Sequence, residues 1–352
     1  MNKSKFFSIM FLAIAGTGAI FAQSRVALHS VGQVTIFSGA APFADAYNAA
    51  ASGDTIYLSG GAFVAPTEIN KGIAVFGAGH YPDSTAVTGQ TSVGGNIIVK
   101  EGADNLRFEG IFFTGNITFN SNEKVDDVVF VRCRINGTLT YNQNNNMATP
   151  CENHLILQCV MIGAINFNNL QGSSITNCII RNRISNGINL NIANNVFLYF
   201  HGYYCDYDGS PFAGGVKGST MSNNVFLTTN DACGVPVAWG CSECLFVNNL
   251  INSTNSNIGG TNNISTNNVF SVPRSNIFVS AADNEFDYTK DYHLQDPETY
   301  LGMDGKEVGI YGGSLGYKSG AVPSNPHFSS ATIAPTTDGD GKLKVNIKVI
   351  AQ

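Results

Sequence analysis

A short pattern that returns eight times between Asn105 and Ser271 constrains this chain more than any other feature. Each copy is a brief β-favouring run that ends in a small or polar anchor residue. The spacings between successive anchors are 23, 26, 19, 17, 29, 25 and 19 residues. Repeats of about 20 to 50 residues are typical of solenoids, propellers and arrays. The anchors are Gly110, Cys133, Cys159, Cys178, Asn195, Asn224, Asn249 and Asn268.

The length of the repeats selects among these architectures. A propeller blade needs about 40 residues or more, so the units are too short for one. The leucine and asparagine frame of a leucine-rich repeat is missing. The pattern therefore predicts an all-β solenoid, a single chain wound as a parallel β-helix with one coil per repeat. Because 17 residues between Cys178 and Asn195 is short for a coil, either that turn is compact or the anchor assignment slips there.

Stacked coils place equivalent residues about 4.8 Å apart, so the anchors are expected to form an inward ladder. An Asn amide has donors and an acceptor and can bond its neighbours above and below. Cys behaves as a small buried hydrophobe. We therefore assign a structural role, not a catalytic one, to the ladder of Cys133, Cys159, Cys178, Asn195, Asn224, Asn249 and Asn268.

The N-terminus has the composition of an export signal. Lys3 and Lys5 precede the apolar run from Phe6 to Ile20, and Ala22 offers a small residue for cleavage. Such a run is typical of a secretory signal peptide and is too short for a membrane span. We expect the mature protein to be periplasmic, on the cell surface or extracellular.

Charge and hydropathy narrow the choice of partners. The formal net charge of −6 would become −8 without Lys3 and Lys5, which argues against nucleic acid. No other apolar run is long enough to cross a bilayer, so no transmembrane segment is predicted. We expect a monomer.

Pro42 to Ala51 has a helical period, and its apolar face consists of Phe43, Ala46, Tyr47 and Ala50. Pro42 suits the first turn of a helix and Gly53 its end. A helix followed by Gly-Asp-Thr-Ile-Tyr-Leu at 53–58 and Gly-Ala-Gly at 77–79 resembles the N-terminal cap and first coils of the right-handed β-helix superfamily, which includes pectate-lyase-like proteins. The resemblance covers most of the mature chain. It implies right-handed coils with a short N-terminal capping helix, and no particular function.

The C-terminal region divides into a last coil and a tail. Asp291–Leu294 and Gly302–Gly313 resemble the last coil of bacterial secreted β-helix proteins. Prolines then mark an extended connector. Lys342–Val349 alternates strictly, which predicts a half-buried strand that covers the solenoid or pairs with another chain. The predicted domains are a signal peptide at 1–22, a β-helix with its cap at 23–316 and a strand-bearing tail at 317–352.

Two insertions, 199–218 and 228–244, account for the spacings of 29 and 25 residues. Insertions in solenoids are often loops on the binding face, and these two leave consecutive coils. Aromatic rings pack on sugar faces and carboxylates accept hydrogen bonds from hydroxyls, so the loops predict a polysaccharide-binding site. The alternative is a small apolar core beneath the loops. The candidate ligand-binding residues are Tyr199, His201, Tyr203, Tyr204, Asp206, Tyr207, Asp208, Asp231 and Trp239.

No cofactor is predicted, and the weak candidates for a metal site are Asp206 and Asp208, whose carboxylates can bind Ca²⁺. Such alternate carboxylates are common in loops that bind no metal. Eight cysteines in an exported chain suggest disulfides. Cys151, Cys205, Cys233, Cys241 and Cys244 are expected in loops, where Cys205 can pair with Cys233 or Cys241. The Cys241-x-x-Cys244 spacing also occurs in metal and redox sites, but packing or a disulfide is favoured here.

Enzymes of the superfamily that the chain resembles provide a further comparison. Polygalacturonase-like members carry four motifs on successive coils, of which this chain has only Asp126-Asp127 and His201-Gly202. Lyases need a base and cations beside a uronate carboxylate. The available cations are Arg132, Arg134, Arg181, Arg183 and Lys217. No complete catalytic constellation is visible, so whether the chain is an enzyme is left open.

Three functions follow from these observations. The first is an exported protein that binds a polysaccharide or cell-surface glycan through its aromatic loops. The second is a polysaccharide lyase or glycoside hydrolase of the pectate-lyase-like superfamily. The third is a structural or adhesive surface protein, suggested by the tail strand and the low content of charged residues, 12%.

Overall fold

Three long, mostly parallel β-sheets make up the body of the protein. The computed structural model describes residues 24–121, 123–141, 150–168, 170–198, 210–213, 215–227, 236–281 and 283–351. The predicted signal peptide, residues 1–22, lies outside them. Successive turns of the chain add strands to each sheet in order, and the sheets contain 12, 9 and 7 strands. The arrangement is all-β and solenoid-like, as the repeat spacing predicts.

Sheet 1 begins with an antiparallel pair and continues in parallel. Its strands are Gln33–Phe37, Val26–Ser30, Thr55–Leu58, Ala74–Phe76, Arg107–Glu109, Val129–Val131, Leu155–Leu157, Ser174–Thr176, Asn191–Ala193, Thr220–Ser222, Leu245–Val247 and Ile264–Thr266. Sheet 2 comprises Gly61–Val64, Thr91–Gly94, Phe112–Phe113, Arg134–Ile135, Val160–Met161, Ile179–Ile180, Val196–Phe197, Val225–Phe226 and Leu250–Ile251. Sheet 3 comprises Glu68–Ile69, Ile97–Val99, Ile117–Phe119, Leu139–Thr140, Ile165–Asn166, Ile184–Ser185 and Phe212–Ala213. A short parallel pair joins Val216–Lys217 to Cys241–Ser242.

Alternation within these short strands builds the interior. Ile117 and Phe119 are fully buried, whereas Thr118 between them points outward and is partly exposed. The parallel register places like side chains over one another. Phe108 stacks on Phe130, for example, with ring centroids 5.6 Å apart. Each coil alone exposes its apolar side chains, so stacking stabilises it by about 25 cal/mol for each Å² of apolar surface buried.

The predicted ladder is confirmed. The side-chain Oδ1 or Sγ atom of each member after Cys133 accepts a hydrogen bond from the backbone N–H of the member one coil earlier. Cys133 N lies 3.4 Å from Cys159 Sγ, and Asn195 N lies 2.9 Å from Asn224 Oδ1. The 17-residue interval is a compact coil and not a slipped assignment, because Cys178 N donates to Asn195 Oδ1 at 2.9 Å.

The assignment of Gly110 as the first anchor is wrong by one residue. Strand pairing aligns Glu109 with Val131, so Gly110 is equivalent to Arg132 and Ile111 to the first ladder cysteine. Gly110 and Arg132 have positive φ angles of 69° and 50°, a left-handed turn that favours Gly and Asn. The same turn precedes every ladder residue. We call these left-handed positions the turn row: Gly110, Arg132, Gln158, Asn177, Asn194, Asn223, Asn248 and Asn267.

A second corner has a related design, although its inward residues share no residue type. There too a left-handed residue precedes each inward residue, and the side chains of Ser173, Ser219 and Cys244 accept a hydrogen bond from the previous coil. His154 N donates to Ser173 Oγ at 2.8 Å, and Ser219 N lies 3.4 Å from Cys244 Sγ. Histidine, serine and cysteine therefore occupy the same backbone position at this corner, after a left-handed residue.

The predicted helix is confirmed as Pro42–Ala49, slightly shorter than expected because Ala50 already has an extended backbone. Its apolar face is buried. Lys71 Nζ bonds the carbonyl oxygens of Tyr47 and Ala50 at 2.9 and 2.7 Å, which places a cation at the negative end of the helix dipole. Within the described residues, no helix is both long enough and apolar enough to cross a bilayer.

The prediction of a last coil at 291–313 is wrong. These residues add no strand to the three sheets. Residues 302–324, which we call the return segment, instead run back along the turn row. Met303 N donates to Asn223 Oδ1 in a late coil, and Ser324 N donates to Glu109 Oε1 in an early one. The return segment makes these contacts largely through its main-chain atoms, so no pattern of side chains in the sequence predicts them.

The tail forms an antiparallel hairpin of His327–Ile333 and Val345–Ile350. The first strand falls where an extended connector was expected. The predicted alternation of the second strand is correct. The prediction that one face of this strand is buried is wrong. The apolar side chains are each 49 to 53% exposed: Leu343, Val345, Ile347 and Val349.

Candidate functional site

Of the nine predicted ligand-binding residues, only Trp239 lies in the described part of the chain, where it is 44% exposed. The others lie outside the described residues, as do Cys205 and Cys233. They are Tyr199, His201, Tyr203, Tyr204, Asp206, Tyr207, Asp208 and Asp231. The aromatic site and its calcium ligands therefore stay predictions.

The strands and turns at the base of the two insertions are described, and they are adjacent. Val196–Phe197 precedes the first insertion and Val225–Phe226 the second, and these strands pair in parallel. On the far side, the buried Ser210 Oγ donates to Val237 O at 2.6 Å. The strand before the first insertion and the C-terminal part of that insertion thus lie against the corresponding parts of the second.

The outer face of sheet 3 runs toward these insertions. Its strand register aligns Thr118, Thr140, Asn166 and Ser185 in one outward row. All four side chains are partly exposed, uncharged and able to form hydrogen bonds. Beside the start of the row is a cavity of about 260 Å³ lined partly by Asn96, Asn116 and Asn120. The sheet ends at Phe212–Ala213, a strand that lies within the predicted first insertion, 199–218. Sequence reasoning missed this row because its members, two threonines, an asparagine and a serine, do not repeat one residue type.

Three of the five predicted cations have structural roles. Arg132 is only 7% exposed, and its Nη1 donates to Val322 O in the return segment at 2.5 Å. Burial lowers the pKa of its guanidinium. Arg181 and Lys217 each form an ion pair with a glutamate. These three residues therefore do not form a shared strip of outward-facing cations for an acidic polymer.

Arg134 lies among aromatic rings. Its Cζ atom is 4.9, 5.3 and 5.1 Å from the ring centroids of Phe112, Phe286 and Tyr288. Nearby, His80 is fully buried, and its Nδ1 lies 3.4 Å from Tyr288 Oη. Burial, followed by the charge of Arg134, lowers the pKa of His80 to about 3, so this imidazole is neutral. The cluster joins an early coil to the segment that precedes the return segment.

The acidic pair at 126–127 also has a structural role. Asp126 forms an ion pair with Lys124 at 3.1 Å and accepts a hydrogen bond from Glu152 N at 2.8 Å. Asp127 occupies a left-handed turn with φ 59°. Among the described residues, no group of three or more His, Cys, Asp or Glu side chains is arranged to hold a metal ion.

The cysteine predictions are partly wrong. Cys241 lies in a strand and Cys244 at the second corner, not in loops, and both are buried free thiols. A hydrogen bond from Cys241 lowers the pKa of Cys244 to about 7, whereas burial raises that of Cys241. Burial also raises the pKa of Cys133 and Cys159 well above the usual value, as expected of unreactive core thiols. Cys151 is fully buried.

No protein-family model, no curated protein and no solved structure matches the chain.

Proposed function

We propose that this is an exported or cell-surface β-helix protein that binds a neutral or weakly charged polysaccharide along the outer face of sheet 3. The coils are right-handed and the N-terminal helix caps them, as in the pectate-lyase-like superfamily. Export rests on Lys3, Lys5 and the apolar run that follows them. The domain boundaries are those expected from the sequence.

One observation carries this proposal: the outward row of sheet 3 ends beside the adjacent bases of both insertions. A row of hydroxyl and amide groups repeats with the spacing of parallel strands, about 4.8 Å. It offers donors and acceptors to the hydroxyl groups of an extended polymer. The aromatic residues of the insertions, with the exposed Trp239, would supply ring faces at the end of that row.

A glycan-array screen of the mature protein, with Ca²⁺ and again with chelator, tests the proposal. A bound glycan should lose about tenfold or more in affinity when Thr140 and Asn166 are both changed to Ala, because two hydrogen bonds are removed. The Tyr203→Ala, Tyr204→Ala and Trp239→Ala triple variant should abolish binding. Sensitivity to chelator would make Asp206 and Asp208 the metal ligands to test.

Ser174→Ala is a matched control, because Ser174 is also an outward strand residue but belongs to sheet 1. Unchanged affinity in the Thr140 and Asn166 variant would rule out the row as the site. A blank array in both conditions would remove support for glycan binding altogether.

A second candidate function, a structural or adhesive surface protein, is supported by the tail hairpin. A two-stranded hairpin is marginally stable by itself in water, and this one exposes the apolar residues Ile333, Val345 and Ile347. Light scattering of the full protein and of a variant lacking residues 327–352 tests tail-mediated assembly. A monomer whose state does not depend on the hairpin would count against it.

A further inference from the structure

The turn row is a binding surface that the protein already uses on itself. Asn177 Nδ2 donates to the carbonyl oxygens of Ile310 and Gly312 at 2.8 and 2.9 Å. One coil earlier, Gln158 Nε2 donates to those of Leu315 and Gly316 at 2.7 and 2.8 Å. Side-chain amides at successive left-handed turns thus bind the main chain of an extended segment.

The next two coils continue the same surface. A β-carbon on Gly313 would lie 2.7 Å from Asn194 Nδ2, so the return segment is in close contact there. At the following coil, Asn223 Oδ1 accepts a hydrogen bond from Met303 N at 3.2 Å. Asn194 Oδ1 is buried without a hydrogen-bond partner in the described chain, although the segment covers it. The turn row is therefore covered by polypeptide from Arg132 to Asn223.

The last two positions of the turn row are different. Asn248 and Asn267 have the same left-handed φ angle, 54° in both. They line a cavity of about 270 Å³ with Leu250, Tyr300 and Leu301. Asn248 Oδ1 is buried and has no hydrogen-bond partner among the described residues. The return segment does not bond to these two amides.

We propose that this cavity binds an extended segment of another polypeptide, through the main-chain N–H and C=O groups of that segment. Asn248 and Asn267 would act on it as Asn177 and Gln158 act on the return segment. None of the lining residues is charged, so the cavity suits a neutral peptide backbone and not a phosphate or a carboxylate. Its apolar walls, such as Leu250, would accept a small aliphatic side chain beside the bonded main chain.

The return segment supplies the probe. A peptide with the sequence of Ile310–Gly316, acetylated and amidated to remove its terminal charges, carries the main chain that the turn row binds within the protein. We expect saturable binding of the dye-labelled peptide to the full chain by fluorescence anisotropy. The Asn248→Gly and Asn267→Gly double variant should bind about tenfold or more weakly, because each lost amide removes about 1 kcal/mol.

Glycine is the chosen replacement because it adopts the left-handed turn without strain, as Gly110 does in the turn row. Asn262→Gly is the matched control: Asn262 has the same φ of 54° but does not line the cavity. Its affinity for the peptide should equal that of the parent protein. A peptide N-methylated along its backbone should bind weakly to all proteins.

Three results would overturn the proposal. One is equal affinity of the parent protein and the double variant, which would place the peptide elsewhere. Another is no saturable binding at millimolar peptide, which would leave solvent as the only occupant of the cavity. Equal binding of the N-methylated peptide would likewise exclude main-chain recognition.

Discussion

The inward ladder has two chemically different halves on one backbone geometry. In the thiol half, Cys159 Sγ accepts a single long hydrogen bond, 3.4 Å from Cys133 N. In the amide half, Asn224 Oδ1 accepts from both the backbone N and the Nδ2 of Asn195, at 2.9 and 3.0 Å. Asn224 Nδ2 also donates to Ile192 O at 2.9 Å. The thiol half is therefore held mainly by packing, and the amide half by a continuous buried hydrogen-bond network.

The largest effect is expected from breaking the amide half at its centre. Asn224→Ala removes the acceptor of the buried Asn195 N–H and the Nδ2 group that donates to Ile192 O and Asn249 Oδ1. We expect the free energy of unfolding to fall by about 4 kcal/mol, since each unsatisfied buried polar group costs about 1–3 kcal/mol. Urea denaturation measures this.

Asn224→Cys should be compared with that variant, because it places a thiol, the side-chain group of the thiol half, in the amide half. It should lose less stability than Asn224→Ala. If the alanine variant lost no more than about 1 kcal/mol, the network would not be stabilising the amide half.

A pH effect of similar size is expected at the second corner, where His154 occupies the inward position equivalent to that of Ser173. Burial lowers the pKa of His154 to about 4, and Nε2 lies 2.8 Å from Val125 O. The unfolded chain, with a His pKa near 6.5, binds the proton first as the pH falls. Stability is therefore complete above pH 6.5 and is lost toward pH 4, by about 3 kcal/mol.

Urea denaturation between pH 7 and pH 4, compared with His154→Gln, isolates this residue. His80, which is also buried and neutral, stays present in both proteins. The variant should show a flatter pH dependence over this range. Equal slopes in the two proteins would contradict the assignment.

A smaller loss is expected in the thiol half. Cys159→Ala removes a fully buried Sγ that makes only weak hydrogen bonds. We expect a loss of about 1–2 kcal/mol, mainly from the small cavity that is left. A loss as large as that of Asn224→Ala, measured in the same urea titration, would remove the distinction between the two halves.

The smallest effect is expected outside both halves, in the tail hairpin. Val345→Thr and Ile347→Thr keep β-favouring residues and change side chains that are 49 and 51% exposed. The unfolding of the solenoid should shift by less than about 0.5 kcal/mol, since exposed substitutions rarely do more. A large shift in calorimetry would show that the hairpin covers part of the core.

The features that repeat in the sequence could be predicted from it. The ladder could be predicted because one residue type returns in successive coils, as Asn195 and Asn224 show. The second corner could not, because His154, Ser173 and Cys244 share a backbone position but differ in residue type. The alignment of Gly110 is wrong for the same reason: its equivalent, Arg132, also has a left-handed φ but a different side chain.

Local periodicity by itself determined the stacked parallel coils, the helix Pro42–Ala49 and the inward ladder. Only the tertiary structure decided where the return segment lies. Asn177 and Gln158 bind its main-chain carbonyls, which are the same in every sequence. The tertiary structure also decided that Arg132 is buried beneath that segment, and that the outward row of sheet 3 leads to the insertions. Contacts between residues far apart in the chain depend on how the coils stack, and local sequence does not encode that.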